Sequence, residues 1–241
     1  MDQRGGLLGA EYRDLYAGYY CGDAGGKREL SAVRSVEQLK DALNGLTIQK
    51  VIDVGAGEGS VLSQISRWRL AQELYAVEIS GSAVDKIKSK DIPLLQSIEL
   101  FDGYRIPYLD KAFDLATVIH VLEHVEHERL FLREVSRVAR RIYVEVPLEF
   151  GLRVGRAVSD GRKHGHINFY VRDTFRSLLE SCGLAVVRCE TFACSRQYDV
   201  FLSGQLRGFL KNGIRRASLR FAPNVAPWVL GYNCYALCEA T

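Results

Sequence analysis

The 241-residue sequence lacks any apolar run approaching the roughly 20 residues that a membrane-spanning helix needs. Its most apolar long stretch, Val225 to Cys238, is too short and is broken by Pro227 and Asn233. It also lacks a Cys-x-x-Cys pair among its six cysteines, Cys21, Cys182, Cys189, Cys194, Cys234 and Cys238, and its first residues, MDQRGGLLGAEYRDLY, hold no apolar leader. Together these absences point to reduced thiols in a cytoplasmic setting. A dominant charge of one sign is missing too: 32 Lys plus Arg face 29 Asp plus Glu, a net charge of +3. That balance names neither nucleic acid nor a membrane as partner, and no stable association with either is expected. No internal repeat or low-complexity tract is present. What remains, 47% apolar and 25% charged residues, is the composition of a folded globular chain.

From Gly45 onward, short β-branched runs alternate with amphipathic ones, the rhythm of βαβ units feeding a parallel sheet. Strands are expected at Lys50 to Val54, Leu74 to Ile79, Ile98 to Phe101, Phe113 to Val118, Arg141 to Val146 (stopped by Pro147), Leu184 to Phe192 and Tyr232 to Cys238. Helices are expected at Lys27 to Leu43, Ser60 to Arg69, Ala83 to Lys88 and Glu126 to Val138, the last burying Leu130, Phe131, Val135 and Val138. A further helix should be capped by Asp173 and stopped by Gly183, and the stretch Ala193 to Leu230 reads as largely helical. The fold class is α/β, a Rossmann-like, doubly wound sheet of seven strands.

The run VIDVGAGEGS, Val51 to Ser60, ends a buried strand with Asp53 and passes through Gly55, Gly57 and Gly59 into a helix. Glycines let the chain turn sharply and let a ligand approach where a Cβ would clash. Glu78 ends the next strand, 19 residues after Gly59, where a carboxylate can accept hydrogen bonds from ribose hydroxyls. The third glycine falls one residue early for the dinucleotide fingerprint, whose last position is Ser60 here. This, with the lack of a Tyr-x-x-x-Lys pair near the fifth strand, disfavours a nicotinamide oxidoreductase.

At these residues the sequence resembles the class I S-adenosylmethionine-dependent methyltransferases, whose first motif is an acid followed by G-x-G-x-G. The resemblance continues through FDGYRIPYLDKAFDL (Phe101 to Leu115), HVLEHV (His120 to Val125) and HINFYVRDTFRSLLESCGLAVV (His166 to Val187). It implies an antiparallel last strand and S-adenosylmethionine as cofactor. Asp53, Gly55, Ala56 and Gly57 would hold its methionine end, Glu78 its ribose, and Ile79, Asp102 and Gly103 its adenine, with His120 beside the methyl. Glu149 departs from the family pattern, in which a small polar residue commonly follows the Pro.

The implied reaction is methyl transfer to an oxygen or nitrogen of a small or medium organic acceptor. His120 and His166 are the residues expected to act on the acceptor's proton. An alternative spends the same motif on a divalent ion. His120, Glu123 and His124 share a helical face, with His166 or His164 closing the set, as in relatives that methylate RNA ends or quinol precursors. No metal is expected. From another class comes a non-catalytic methyltransferase-like module that binds through its basic stretch.

Residues 1–45 are expected to form a helical cap segment and 46–241 the main domain; of Tyr12, Tyr16, Tyr19 and Tyr20, the first three fall at helical spacing that reads as packing, and the resemblance implies that one tyrosine lines the site. Inserts at 148–165 and 193–230 would lie on the acceptor side. From Val200 to Cys238 there is no acid, and Arg207, Lys211 and Arg215 repeat every four residues. Their shared face is expected to be the solvated side of a lid helix.

Overall fold

Runs such as VIDV and FDLATVI pleat into strands that are buried on both faces, so the elements between them must pack as helices above and below one sheet. The computed structural model describes residues 26–152, 154–155, 158–159 and 165–240. The four N-terminal tyrosines, Cys21, His164 and part of the 148–165 insert lie outside the described residues. The order is α1 (Lys27–Leu43), β1 (Lys50–Val54), α2 (Ser60–Arg67), β2 (Glu73–Glu78), α3 (Gly81–Ser89), β3 (Leu95–Leu100) and β4 (Phe113–Ile119). A 3-10 turn (Leu122–His124) leads to α4 (Glu128–Val138), β5 (Ala139–Leu148), α5 (Arg172–Ser181) and β6 (Leu184–Phe192). Then come α6 (Arg196–Ser203), α7 (Gln205–Phe221), α8 (Ala226–Val229) and β7 (Tyr232–Ala240).

The strands lie in the order β3-β2-β1-β4-β5-β7-β6, all parallel except β7, which runs antiparallel to both neighbours. Winding reverses between β1 and β4, and at such a switch point a crevice opens beyond the strands' carboxyl ends. One face of the sheet packs Ile52, Val118 and Val144 against Phe131 and Val135 of α4 and Phe175 of α5. The other packs Val51, Leu115 and Tyr143 with Val36 and Leu39 of α1 and Ile65 of α2. Because side chains alternate across a strand, Asp53, Thr117 and Glu145 share this second face with α1. Helix α1 is therefore a structural layer of the sheet as well as a wall of the crevice.

Three local expectations are corrected. β5 runs through Pro147 to Leu148. The Glu145 carbonyl accepts the His120 N–H at the end of β4, so Pro147, two residues on, turns its proton-less nitrogen to the side where β4 has already ended. In α4 the buried set is Phe131, Leu132, Val135 and Val138, while Leu130 is exposed, because at the helical period it falls off the arc that those four share. At α5 the N-cap is Val171, whose N–H donates to Thr174 Oγ1 at 3.2 Å, leaving Asp173 inside the first turn.

Candidate functional site

A cavity of about 720 Å³ opens beyond the carboxyl ends of β1, β2, β4 and β5, within the size range of small-molecule sites. The glycine loop forms its floor. Gly55, Gly57 and Gly59 all take positive φ, and a Cβ on Gly55 would lie 2.6 Å from Val121 Cγ2. The loop is pinned from β2: Gly55 N–H donates to the Val77 carbonyl at 2.9 Å and Gly57 N–H to Glu78 Oε2 at 2.7 Å.

Asp53 is buried on the cavity wall, and Thr117 Oγ1 donates to its Oδ1 at 2.7 Å. Burial pushes the Asp53 carboxyl up to about 7, against the Thr117 hydrogen bond and with help from nearby Glu78. Glu78 is raised by burial as well, opposed by the N–H groups of Ser80, Gly57 and Ile79. Its Oε1 accepts from both Ile79 and Ser80, so Oε2, bonded to Gly57 alone of these, keeps room for a ligand hydroxyl. Ala56, Gly57, Ile79 and Gly103 also line the cavity. Asp102 does not: it is exposed, and its Oδ1 accepts the N–H groups of Tyr104 and Arg105, fixing the turn that presents Gly103.

His120 ends β4 with φ 56°, a left-handed conformation that a non-glycine residue holds at a cost. Its ring lies between two buried carboxylates, Nδ1 3.3 Å from Glu123 Oε1 and Nε2 3.1 Å from Glu145 Oε1. Burial pulls the imidazole toward neutrality, but Glu123 and Glu145 overcome it and hold its pKa well above the ordinary 6.5. An imidazolium has no lone pair, so this geometry makes His120 a fixed cation and a poor base. Glu145 in turn accepts from Ser35 Oγ of α1 at 2.9 Å. Neither Glu145 nor Ser35 was expected at the site. The available signal was an acid inside the apolar run IYVEV, which a buried strand tolerates only with a partner.

His166 also reaches the cavity, with Nδ1 2.8 Å from Glu149 Oε2. Burial lowers its pKa, but the Glu149 hydrogen bond and the charges of Glu123 and Glu149 together outweigh that and raise it overall. The ring of His124 stands edge-on to it, centroids 4.7 Å apart. His124 pairs through Nδ1 with the Gly165 carbonyl at 3.1 Å, and burial lowers its pKa, so it is neutral with Nδ1 protonated. Glu123, His124 and His166 each bring a ligand atom within 4.8 Å of the others, and buried Glu123 Oε2 has no hydrogen-bond partner among the described residues. His120, engaged by its two carboxylates, falls outside this group.

A methyltransferase domain model matches residues 25–188, more than half of the chain. The chain belongs to the class I S-adenosylmethionine-dependent methyltransferases. The methyltransferase GfsG of Streptomyces halstedii is 28% identical over 145 residues, 58% of this chain and 52% of GfsG. The ajmaline N-methyltransferase of Rauvolfia serpentina is 28% identical over 99 residues, 38% of this chain and 32% of that enzyme. The match thus spans about half the length of GfsG and about a third of the ajmaline N-methyltransferase. The geranyl diphosphate C-methyltransferase of Streptomyces coelicolor A3(2), solved with Mg2+, a geranyl-S-thiolodiphosphate and S-adenosylhomocysteine, superposes with TM-score 0.66 at 13% identity, covering 95% of this chain and 98% of that one. The protein is an enzyme with S-adenosylmethionine as cofactor, which sets aside the nicotinamide and non-catalytic readings. The site suits that cation: a buried carboxylate, Asp53, faces the cavity beside a loop in which Gly55 and Gly57 leave the backbone open to approach.

Helices of the late insert and the start of β7 supply the outer wall of the methyltransferase site. Tyr198 and Leu202 of α6, Lys211 and Arg215 of α7, and Asn233 of β7 face the cavity. Arg215 and Lys211 turn inward to the fully buried Asp199, Nη1 at 2.6 Å and Nζ at 3.5 Å, and Asn212 Nδ2 donates to the same carboxylate at 3.0 Å. Lys211 and Arg215, expected on a solvated face, therefore turn to the inner side, while Arg207 is exposed. Among the described residues no helix is long and apolar enough to cross a membrane.

Proposed function

We propose that the enzyme methylates an oxygen or nitrogen of a small or medium organic acceptor, with His166, oriented by Glu149, taking the acceptor's proton. Bound S-adenosylmethionine supplies an electrophilic methyl on a sulfonium. Asp53 meets its ammonium, Gly55, Ala56 and Gly57 let its methionine end approach the backbone, and Glu78 accepts from the ribose. Ile79 and Gly103 border the adenine, and Asp102 holds the turn beside it. His120 serves as a fixed cation that positions Glu123 and Glu145 under the methyl pocket. The observation that supports the base assignment is the 2.8 Å His166–Glu149 pair, which orients the ring and engages its Nδ1 on the cavity wall.

The test is transfer of labelled methyl from the cofactor to a panel of phenols, carboxylic acids and amines. The rate with a competent acceptor should rise with pH through an apparent pKa above 6.5, in line with the raised His166 value. Replacing His166 by Ala should cost about 10²–10⁴ in turnover while S-adenosylhomocysteine affinity holds. An intact pH profile in that variant would mean that proximity alone carries the reaction. Labelling of carbon acceptors only would defeat the oxygen or nitrogen assignment.

A second reading is favoured by the orphaned Glu123 Oε2: Glu123, His124 and His166 would hold a divalent ion, as suits an RNA end or a quinol-type acceptor. The two readings compete for His166. If the first holds, EDTA leaves turnover unchanged; a stoichiometric ion whose removal abolishes it supports the second.

A further inference from the structure

Helix α7 is built inside out. A Cβ on Gly208 would lie 2.4 Å from Val200 Cα, so α6 and α7 approach at backbone distance along the buried Gly208–Asn212 face, beside which Arg215 and the half-exposed Lys211 reach in to Asp199. The opposite stripe, at helical spacing, is Leu206, Leu210, Ile214 and Phe221 with Phe209 beside it, each between 54% and 82% exposed. Helix α8, which packs on α7, adds exposed Trp228 and Val229. Isolated exposed apolar residues need no explanation, but a continuous stripe of this kind marks a contact surface.

The charge around the stripe says what it contacts. On the helix wheel Arg207 flanks one edge and Arg216 and Arg220 the other, and all three are exposed. Arg196 of α6 lies over the Phe209 ring, 5.0 Å from its centroid. No acid occurs from Val200 to Cys238, and the nearest, Asp199, is fully buried and neutralised on the inner side. A second copy meeting this face would set Arg207, Arg216 and Arg220 against one another. A nucleic acid would meet the aliphatic Leu206, Leu210 and Ile214 along the N-terminal part of the stripe, which offer its bases no stacking surface.

We propose that α7 is an interfacial helix, which lays its apolar stripe into the surface of an anionic lipid bilayer while its arginines engage the headgroups. An apolar arc edged by long cations is the pattern that binds in the plane of such a surface. Such an in-plane contact is distinct from a membrane span, which none of the described helices is long and apolar enough to form. It also places the cavity's outer wall, Lys211 and Arg215, on the back of the membrane-bound element.

The experiment is sedimentation of the full chain with vesicles of phosphatidylcholine alone and of phosphatidylcholine with phosphatidylglycerol. Binding to the anionic vesicles is expected at least about tenfold tighter and should weaken with salt. The combined variant R207Q, R216Q and R220Q should lose affinity on the order of a hundredfold, at about fivefold per charge. The combined variant L206S, L210S and I214S should not sediment with either vesicle. Both sets lie on the exposed face, and S-adenosylhomocysteine binding reports that each variant is folded. Should the serine variant fail to fold, the arginine variant and the lipid contrast still decide. No binding of the wild type, equal binding by the arginine variant, a dimer lost on serine substitution without any vesicle binding, or affinity for RNA alone would each overturn the proposal.

Discussion

At the scale of single residues the site turns on Asp53, a carboxyl held near neutrality by burial. Its pKa of about 7 against an ordinary 3.8 means that the folded chain holds this proton more tightly than the unfolded one, so its share of stability is lost as pH rises from about 3.8 to 7. Asp53→Asn should therefore stabilise the ligand-free protein at neutral pH, by on the order of 1–3 kcal/mol. The same change should weaken S-adenosylhomocysteine binding by about 1.5–3 kcal/mol, the worth of hydrogen bonds to a charged group. Calorimetry should also show wild-type affinity climbing with pH to about 7 and then levelling, a rise absent in Asp53→Asn. Unchanged binding in the variant would remove Asp53 from the ligand site. Asp53 was legible because it ends an apolar strand before glycines. Glu145 was not, since its partners Ser35 and Asn233 lie 110 and 88 residues away and only the folded register brings them together.

At the scale of elements, strands and layer helices were readable because burial imposes periods of 2 and 3.6 on the chain. The orientation of α7 was not, because period alone cannot tell which face of a helix meets the protein. The deciding feature is one glycine, Gly208, whose lack of a side chain allows α6 to close, with Asp199 locking the pair. Removing that lock should free the cap without disturbing the sheet. In Asp199→Asn the Arg215 guanidinium, 14% exposed, loses its counter-charge, and breaking a buried pair costs about 3–5 kcal/mol. Hydrogen exchange should then lose protection in α6 and α7 while the amides of β1 and β4 stay as in the wild type. Equal protection of the cap in both proteins would show that apolar contacts alone hold it.

At the scale of the whole molecule, the sheet's second face carries a polar row under α1, and the buried acids Glu123 and Glu145 are sustained by one cation, His120. Its pKa stands well above 6.5 in the folded protein and near 6.5 in the unfolded chain, so its contribution is complete below about 6.5 and is lost as pH rises through the folded value. His166, also raised by its carboxylate, acts in the same direction. His124, lowered by burial, acts with the opposite sign but below 6.5, outside that window. The ligand-free enzyme should therefore lose stability from about pH 6.5 upward, by up to about 1.4 kcal/mol per pH unit for each proton released. Thermal denaturation of the wild type and of His120→Gln isolates the His120 part, because every other titrating group is common to both. The glutamine variant should melt lower at pH 6.5, since it leaves a buried carboxylate uncompensated, and its melting temperature should fall less steeply toward pH 9. Measuring without cofactor matters, because ligand linkage would mask the slope. Parallel curves for the two proteins would show that the imidazolium between Glu123 and Glu145 is not what holds the acids in the fold, and a neutral, hydrogen-bonded pair of carboxyls would have to take its place.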